Sequence, residues 1–216
     1  MPNWCFNHLT IIDTDKGEKP EEILDRITNK NEKGEKYFDF NTIIPMPEKL
    51  EIESGSDTLK ALRWFMFSHR QIITREEREK VFDCLKSWER EQIREETEET
   101  IQNLIDTYTD FEKPEKWKKF KDYAQTIFNN IINYGCPTWY EWCIKNWGTK
   151  WNSCDTIIDD SEDDIVVNFD TAWAPPTPVL VALSKKYPNN VFHFECEEET
   201  DMETAVCEFI NGEIIE

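Results

Sequence analysis

Hydrophobic and polar residues alternate near the start of the chain. In the segment WCFNHLTIID, Leu9 and Ile11 lie on the same side of this alternation, which indicates a strand buried on at least one face. Pro20 then opens a short amphipathic helix, and the run YFDFNTIIPMP is predicted to be a second strand that ends at Pro45. We therefore expect residues 1–57 to form a βαβ part of an α+β core.

The hydrophobic spacing changes to the helical period of about 3.6 residues from about residue 58. Thr74, with Glu77 three positions later, predicts the start of one helix. That helix is expected to continue to Ile93 and to carry three apolar residues on one face: Val81, Leu85 and Trp88. Further stripes of this kind precede and follow it. We expect residues 58–134 to be a helical lobe inserted into the α+β core.

The last part of the chain, residues 135–216, returns to a mixture of helix and strand. Pro137 opens a helix that Gly148 ends, and two strand-like runs, a helix and two further strands follow. We expect this segment to join the N-terminal strand in one mostly antiparallel sheet with helices on one face.

Two tryptophan-containing motifs mark turns in this last segment. In NWGTKWNSCD, Trp147 ends a helix, Gly148 allows the chain to reverse, and Trp151 begins the next strand. Trp173 in TAWAPPTPV precedes a proline-rich turn, and Trp4 belongs to the first strand. We expect structural roles for these five residues, with both indoles of the first motif packed under the sheet. The alternative is a surface aromatic patch for a protein partner.

The charge of the chain is strongly negative and unevenly distributed. The net charge is −20, and residues 136–216, with 17 acidic and 4 basic residues, contribute −13 of it. Such an acidic surface repels the phosphates of nucleic acids and attracts basic proteins. We therefore expect no direct nucleic-acid binding through this region.

The polar side of the last strands is predicted to collect carboxylates. In VFHFECEE, Glu195 and Glu197 alternate with apolar residues, and Glu208 takes the corresponding position in AVCEFI. Asp170 of IVVNFDTAW is expected to join them. Further candidate interaction residues are predicted at the rim of this acidic face: Asp159, Asp160, Asp163, Asp164 and Glu198. The alternative is that these acids only keep the sheet soluble and its edges unpaired.

The sequence carries no signature of catalysis or of metal binding. The six glycines are isolated, and the motifs G-x-S-x-G and H-E-x-x-H are missing. Cys5 with His8, and His193 with Cys196, have ligand-type spacing, but residues three apart in a strand point to opposite faces. The acidic run DTIIDDSEDD lacks the glycine of a calcium-binding loop. We therefore expect no enzyme, no metal and no cofactor.

Cysteine usage and hydropathy indicate the compartment. The seven cysteines are scattered, and the N-terminal residues lack the basic start and long apolar run of a secretory signal. No stretch of about 18 apolar residues occurs. We expect reduced thiols and a cytoplasmic protein without a membrane contact.

Four segments of the chain resemble the YubB-like family of plasmid and bacteriophage proteins. They are MPNWCFNHLTI, FNTIIPMPEKL, NWGTKWN and FDTAWAPPTPVLVALSKKYP, in this order. The resemblance covers about the first 50 residues and most of residues 136–216, and it does not extend through the helical lobe. It implies a ferredoxin-like C-terminal domain and an origin in a mobile element of a bacterial host. It brings no catalytic residues with it.

Two hypotheses for function follow. The first is an acidic interaction protein that inhibits a nucleic-acid-binding defence protein of the host, of the anti-CRISPR or anti-restriction type. Its partner would be a basic host protein, such as a nuclease, whose basic surface the carboxylates occupy in place of phosphates. The second is an accessory regulatory or structural domain whose helical lobe mediates self-association.

Overall fold

The computed structural model describes residues 3–109, 114–160, 164–199 and 201–215. The chain divides into two compact units. The sheet unit consists of residues 1–46 and 143–216, and the helical unit runs from Pro47 to Trp142. In the sequence, the helical unit is therefore inserted between two parts of the sheet unit. It begins earlier and ends later than the predicted lobe of residues 58–134.

The sheet unit contains a six-stranded antiparallel sheet, which confirms the predicted α+β fold. Its strands are β1 (Trp4–Ile12), β4 (Cys154–Asp159), β5 (Ile165–Ala172), β6 (Val191–Glu198), β7 (Asp201–Ile210) and β8 (Glu213–Ile215), in the order β4-β5-β1-β6-β7-β8. Because β1 pairs antiparallel with both β5 and β6, these two strands run parallel to each other. Helix α8 (Thr177–Lys186) connects β5 to β6, and β1, the first strand of the chain, lies between these two strands. Together they form a split β-α-β unit.

One face of the sheet forms the core with α8 and with α1 (Pro20–Ile27). Leu9, Val167 and Phe194 lie side by side on this face, and each is at most 2% exposed. Asn7 is buried in the same face, and its Nδ2 donates hydrogen bonds to the Phe169 carbonyl (3.0 Å) and to Thr171 Oγ1 (2.9 Å). This amide therefore avoids the penalty of an unpaired buried polar group.

The segment predicted as the second strand is mostly not extended. Strands β2 (Thr28–Lys30) and β3 (Lys36–Phe38) form a separate two-stranded hairpin, and a 3₁₀ helix follows at Phe40–Thr42. Asp39 causes the change, because its carboxylate accepts hydrogen bonds from the Asn41 backbone N–H (3.0 Å) and from Asn152 Nδ2 (2.6 Å). A side chain that caps the backbone in this way favours a turn over a strand.

The helical unit contains α2 (Ser56–Ser68), α3 (Arg75–Asp83), α4 (Ser87–Arg94), α5 (Glu98–Tyr108) and α6 (Pro114–Tyr134), and α7 (Trp139–Asn146) crosses its C-terminal boundary. The predicted single helix over residues 74–93 is wrong, since the chain turns between α3 and α4. There the Lys86 N–H donates to Glu89 Oε2 (2.7 Å) and starts a new helix. Trp88 is 52% exposed as a result, whereas Val81 and Leu85 are in the core.

Candidate functional site

The second face of the sheet, which we call the open face, keeps its side chains partly or fully exposed. Its central row runs across five strands in register: Ile157, Asn168, His8, Glu195 and Val206. On either side lie the row Asp170, Phe6, Glu197 and Thr204, and the row Asp159, Val166, Thr10, His193 and Glu208. The pairing therefore brings together carboxylates from four strands.

A groove of about 400 Å³ lies on the open face, with four carboxylates in its lining: Asp155, Asp170, Glu195 and Glu197. Asp155 enters this groove at a β-bulge of β4, where its φ is +46° and the register with β5 shifts. Bulges of this kind redirect a side chain. His8 lies on the groove floor, and its Nδ1 donates to Asn168 Oδ1 (2.7 Å).

The negative charge in this groove has little compensation from the protein itself. Burial and the charge of Asp155 raise the pKa of Asp170 above its usual range. Within the residues that the structure describes, no salt bridge reaches Asp155, Asp170 or Glu197. Glu195 has one partner, since its Oε1 lies 3.1 Å from His193 Nε2. The groove thus holds carboxylates whose repulsion an external cation would relieve.

Large hydrophobic side chains are interleaved with these acids. Phe6 is 45% exposed, Ile157 68%, Val206 51% and Ile215 46%, and all four lie on the open face. Acids that served only for solubility would not need apolar neighbours at such exposure. Exposed apolar side chains that cluster on one surface and are surrounded by polar residues are typical of an interaction site.

The predicted interaction residues do not all lie in this groove. Asp170, Glu195, Glu197, Glu208 and Asp159 are on the open face, as the rows above show. Two further predicted residues lie at the edge of the open face. Asp160 is exposed after β4, and Asp164 accepts a hydrogen bond from the Asp13 N–H (2.7 Å). Asp163 lies outside the described residues.

Glu198 was predicted at the rim of the acidic face, and its position in β6 places it on the other side of the sheet. It pairs with Cys5 of β1, whose side chain is buried on the helix-covered face. Successive residues of a strand point to opposite faces, so Glu198 lies on the side opposite to Glu197. Sequence reasoning also missed Asp155 and the exposed Phe6 and Ile157. The bulge that places Asp155 leaves no signal in the alternation pattern.

The tryptophan motifs divide into a buried part and a surface part. Trp147 is 3% exposed, its Nε1 donates to the Ile44 carbonyl (2.9 Å), and its ring meets Phe40 edge-on at 5.7 Å. Gly148 has φ +82°, and a Cβ there would lie 2.8 Å from Pro178 Cδ, so the turn requires glycine.

Trp151 is not packed under the sheet as predicted. It is half-buried, and its ring lies 6.0 Å from that of Trp4. Lys150 Nζ lies 4.5 Å from the ring centre of Trp151 and 5.0 Å from that of Trp173, which is 44% exposed. These three tryptophans form a partly exposed aromatic cluster at one end of the sheet.

The cysteines are free thiols. A hydrogen bond between the Cys5 and Cys196 thiols raises the pKa of Cys5, with burial adding to the effect, and lowers the pKa of Cys196.

In the described ranges, no group of three or more His, Cys, Asp or Glu side chains is arranged to hold a metal ion. None of the helices in those ranges is long and apolar enough to span a membrane.

Residues 146–216 match a family model described as a ferredoxin-like domain in Api92-like protein. The C-terminal part is thus similar to an Api92-like domain. A crystal structure of protein api92 from Yersinia pseudotuberculosis overlaps 98% of this chain and 95% of its own chain, at 12% sequence identity and a TM-score of 0.40. A structural likeness of that degree carries no argument about function. No curated protein matches the sequence.

The Api92-like match covers β4 to β8 and α8, and it supports the predicted ferredoxin-like C-terminal domain. The open face therefore lies largely on this domain, with β1 as the strand that the N-terminal part contributes. The description of the matched family differs from the YubB-like resemblance, and the origin in a plasmid or phage stays a prediction.

Proposed function

We propose that this chain is a non-enzymatic interaction protein whose open face binds a basic surface of another protein. The observation that carries this proposal is the groove between Asp155, Asp170, Glu195 and Glu197, which has exposed apolar neighbours and in which His193, beside Glu195, is the one recorded ion-pair partner among the described residues. Complementary charge steers association and selects the partner, while apolar contacts supply area that excludes water.

The class of partner follows from the sign and density of the charge. Residues 136–216 have a net charge of −13, which repels nucleic acid and favours Lys- and Arg-rich surfaces. Surfaces that bind nucleic acid are basic for the same reason. In the finer form of the proposal, the partner is a nucleic-acid-binding defence protein of a bacterial host, such as a nuclease, and the carboxylates occupy the positions of phosphates. The YubB-like resemblance motivates that finer form.

The experiment compares two charge-reversal variants of equal net change. Glu195→Lys, Glu197→Lys and Glu208→Lys together reverse the open face. The control is a second triple variant on exposed positions of the helical unit that have no salt bridge among the described residues: Asp83→Lys, Glu91→Lys and Glu95→Lys.

Both variants and the unmodified chain are immobilised and exposed to a nuclease-treated bacterial lysate, and captured proteins are purified and titrated individually. We expect a basic, nucleic-acid-binding protein whose affinity falls on the order of tenfold or more with the open-face variant, and little with the control. Added salt and competing DNA should both weaken the complex. Equal affinity for the two triple variants would contradict the proposal.

A second candidate function rests on the helical unit. Ile72 and Trp88 are exposed there at 74% and 52%, and such apolar side chains favour a protein contact. In this alternative the chain self-associates through the helical unit. Sedimentation velocity over a range of concentrations distinguishes the two, since a dimer lost in Trp88→Ala but retained in the open-face variant would favour the alternative.

A further inference from the structure

We propose that the open face recognises arginine in preference to lysine, with Phe6 as a stacking platform between the carboxylates of Asp170 and Glu197. This inference rests on the proposed function and names the side chain by which the basic partner is recognised. It follows from the row in which Phe6 pairs with Asp170 on β5 and with Glu197 on β6.

The spacing of that row fits a guanidinium group. Neighbouring strands lie about 4.8 Å apart, so the Cα atoms of Asp170 and Glu197 are separated by roughly 10 Å, with the Phe6 ring between them. Phe6 is 45% exposed, which leaves its ring accessible. A guanidinium above the ring can direct N–H groups to a carboxylate on each side, because its five donors point outward in one plane.

Arginine and lysine differ in this setting for a physical reason. The guanidinium is planar, weakly hydrated and stacks on aromatic rings, whereas the ammonium is a compact and strongly hydrated point charge. A cation over an aromatic face contributes about 0.5–1 kcal/mol at exposed sites and more when water is excluded. An arginine already lies over a phenylalanine ring elsewhere in this chain, since the guanidinium carbon of Arg70 is 4.0 Å from the ring centre of Phe67.

The position over Phe6 is open to an external cation. No Lys or Arg side chain in the described parts of the chain is placed over this ring. Asp155 and Asp170 line the same groove, and the pKa of Asp170 is raised first by burial and then by repulsion from Asp155. A bound guanidinium would offset the repulsion between these two carboxylates and would therefore stabilise the occupied state of the site.

The test uses two fluorescein-labelled peptides of equal length and charge, in which Gly-Ser spacers separate either arginines or lysines. Fluorescence anisotropy at about 150 mM salt measures their affinity for the full chain. We expect the arginine peptide to bind roughly fivefold more tightly or better. Phe6→Leu should abolish that preference by weakening the arginine peptide alone, and Phe6→Tyr should retain it.

Ile157→Ala serves as the matched control, because Ile157 is an exposed apolar residue of the same face in another row. It should change the affinity for both peptides by the same factor. Thermal denaturation checks that each variant is folded. If Phe6→Leu does not fold, the test is the ratio of the affinities for the arginine and lysine peptides, which should favour arginine both in the unmodified chain and in Phe6→Tyr.

Four results would overturn the arginine site. Equal affinity for the two peptides, or an equal loss for both in Phe6→Leu, would refute the preference but leave the proposed function in place, provided that the triple reversal of the open face weakens both peptides. If neither peptide binds, or if that reversal leaves both unaffected, the proposed function fails together with the inference.

Discussion

Replacement of Trp147 by alanine gives the largest change in stability that we predict from the structure. The side chain is 3% exposed, contacts Phe40 edge-on, and donates a hydrogen bond to the Ile44 carbonyl. Truncation of a buried aromatic residue costs about 3–5 kcal/mol, because it removes apolar burial and leaves a cavity. Most domains have only about 5–15 kcal/mol of stability in total, so the variant should be close to unfolding under ordinary conditions.

Urea denaturation followed by far-UV circular dichroism measures this loss. With a slope of about 2–3 kcal/mol per molar, the midpoint for Trp147→Ala should fall by roughly 1–2.5 M. Trp147→Phe keeps most of the ring volume but removes the N–H donor, and should cost about 1–2 kcal/mol. Trp151→Ala is the surface control and should cost less than Trp147→Ala, since Trp151 is half-buried. A midpoint for Trp147→Ala within about 0.3 M of the original value would refute the assignment of Trp147 to the core.

Three further predictions concern the site, a turn and the insertion. Because burial and Asp155 raise the pKa of Asp170, ionisation of this carboxyl opposes folding; Asp170→Asn should therefore stabilise the chain at neutral pH, by no more than roughly 0.2–1 kcal/mol because solvent screens a largely exposed carboxyl. The gain should disappear below a pH of about 4, where the unfolded chain also holds the proton, and a destabilised variant at neutral pH would contradict the argument. Gly148→Ala should lower stability by about 1–3 kcal/mol in thermal denaturation, since φ is +82° and the added Cβ meets Pro178; an unchanged melting temperature would show that the turn can relax. Replacement of residues 47–142 by a short flexible linker should leave a folded sheet unit, because the two residues that the linker joins are close: Cys143 Sγ lies 3.8 Å from Met46 Sδ; insoluble or molten protein would count against an independent sheet unit.

The carboxylates of the open face affect both the stability of the fold and the binding of a partner. An uncompensated carboxylate such as Asp170 lowers stability, and solubility does not require it to lie in a groove beside Asp155. Residues that reduce stability and also line a groove are typical of binding sites. If Asp170→Asn stabilises the fold but weakens the partner, both observations have one cause.

Local pattern in the sequence was sufficient to predict the faces of β6 and β7, the start of α3 and the fold class. Alternation in VFHFECEE and AVCEFI placed Glu195, Glu197 and Glu208 on one side, because a strand has a side-chain period of two whatever its neighbours are. The capping pair Thr74 and Glu77 marked a helix start that the structure contains, with Glu77 Oε2 accepting from the Thr74 N–H at 2.8 Å. The α+β class and the inserted helices follow from the same short-range signals.

Contacts between distant residues decided what these signals could not. Asp170 and Glu197 flank Phe6 only because β1 pairs between β5 and β6, which are more than 150 residues away in the chain. Strand register depends on turns, bulges and core packing together, so no local window of sequence contains it. The 3₁₀ helix that replaces most of the second predicted strand also depends on a remote residue, because Asn152 donates a hydrogen bond to the Asp39 carboxylate that caps it.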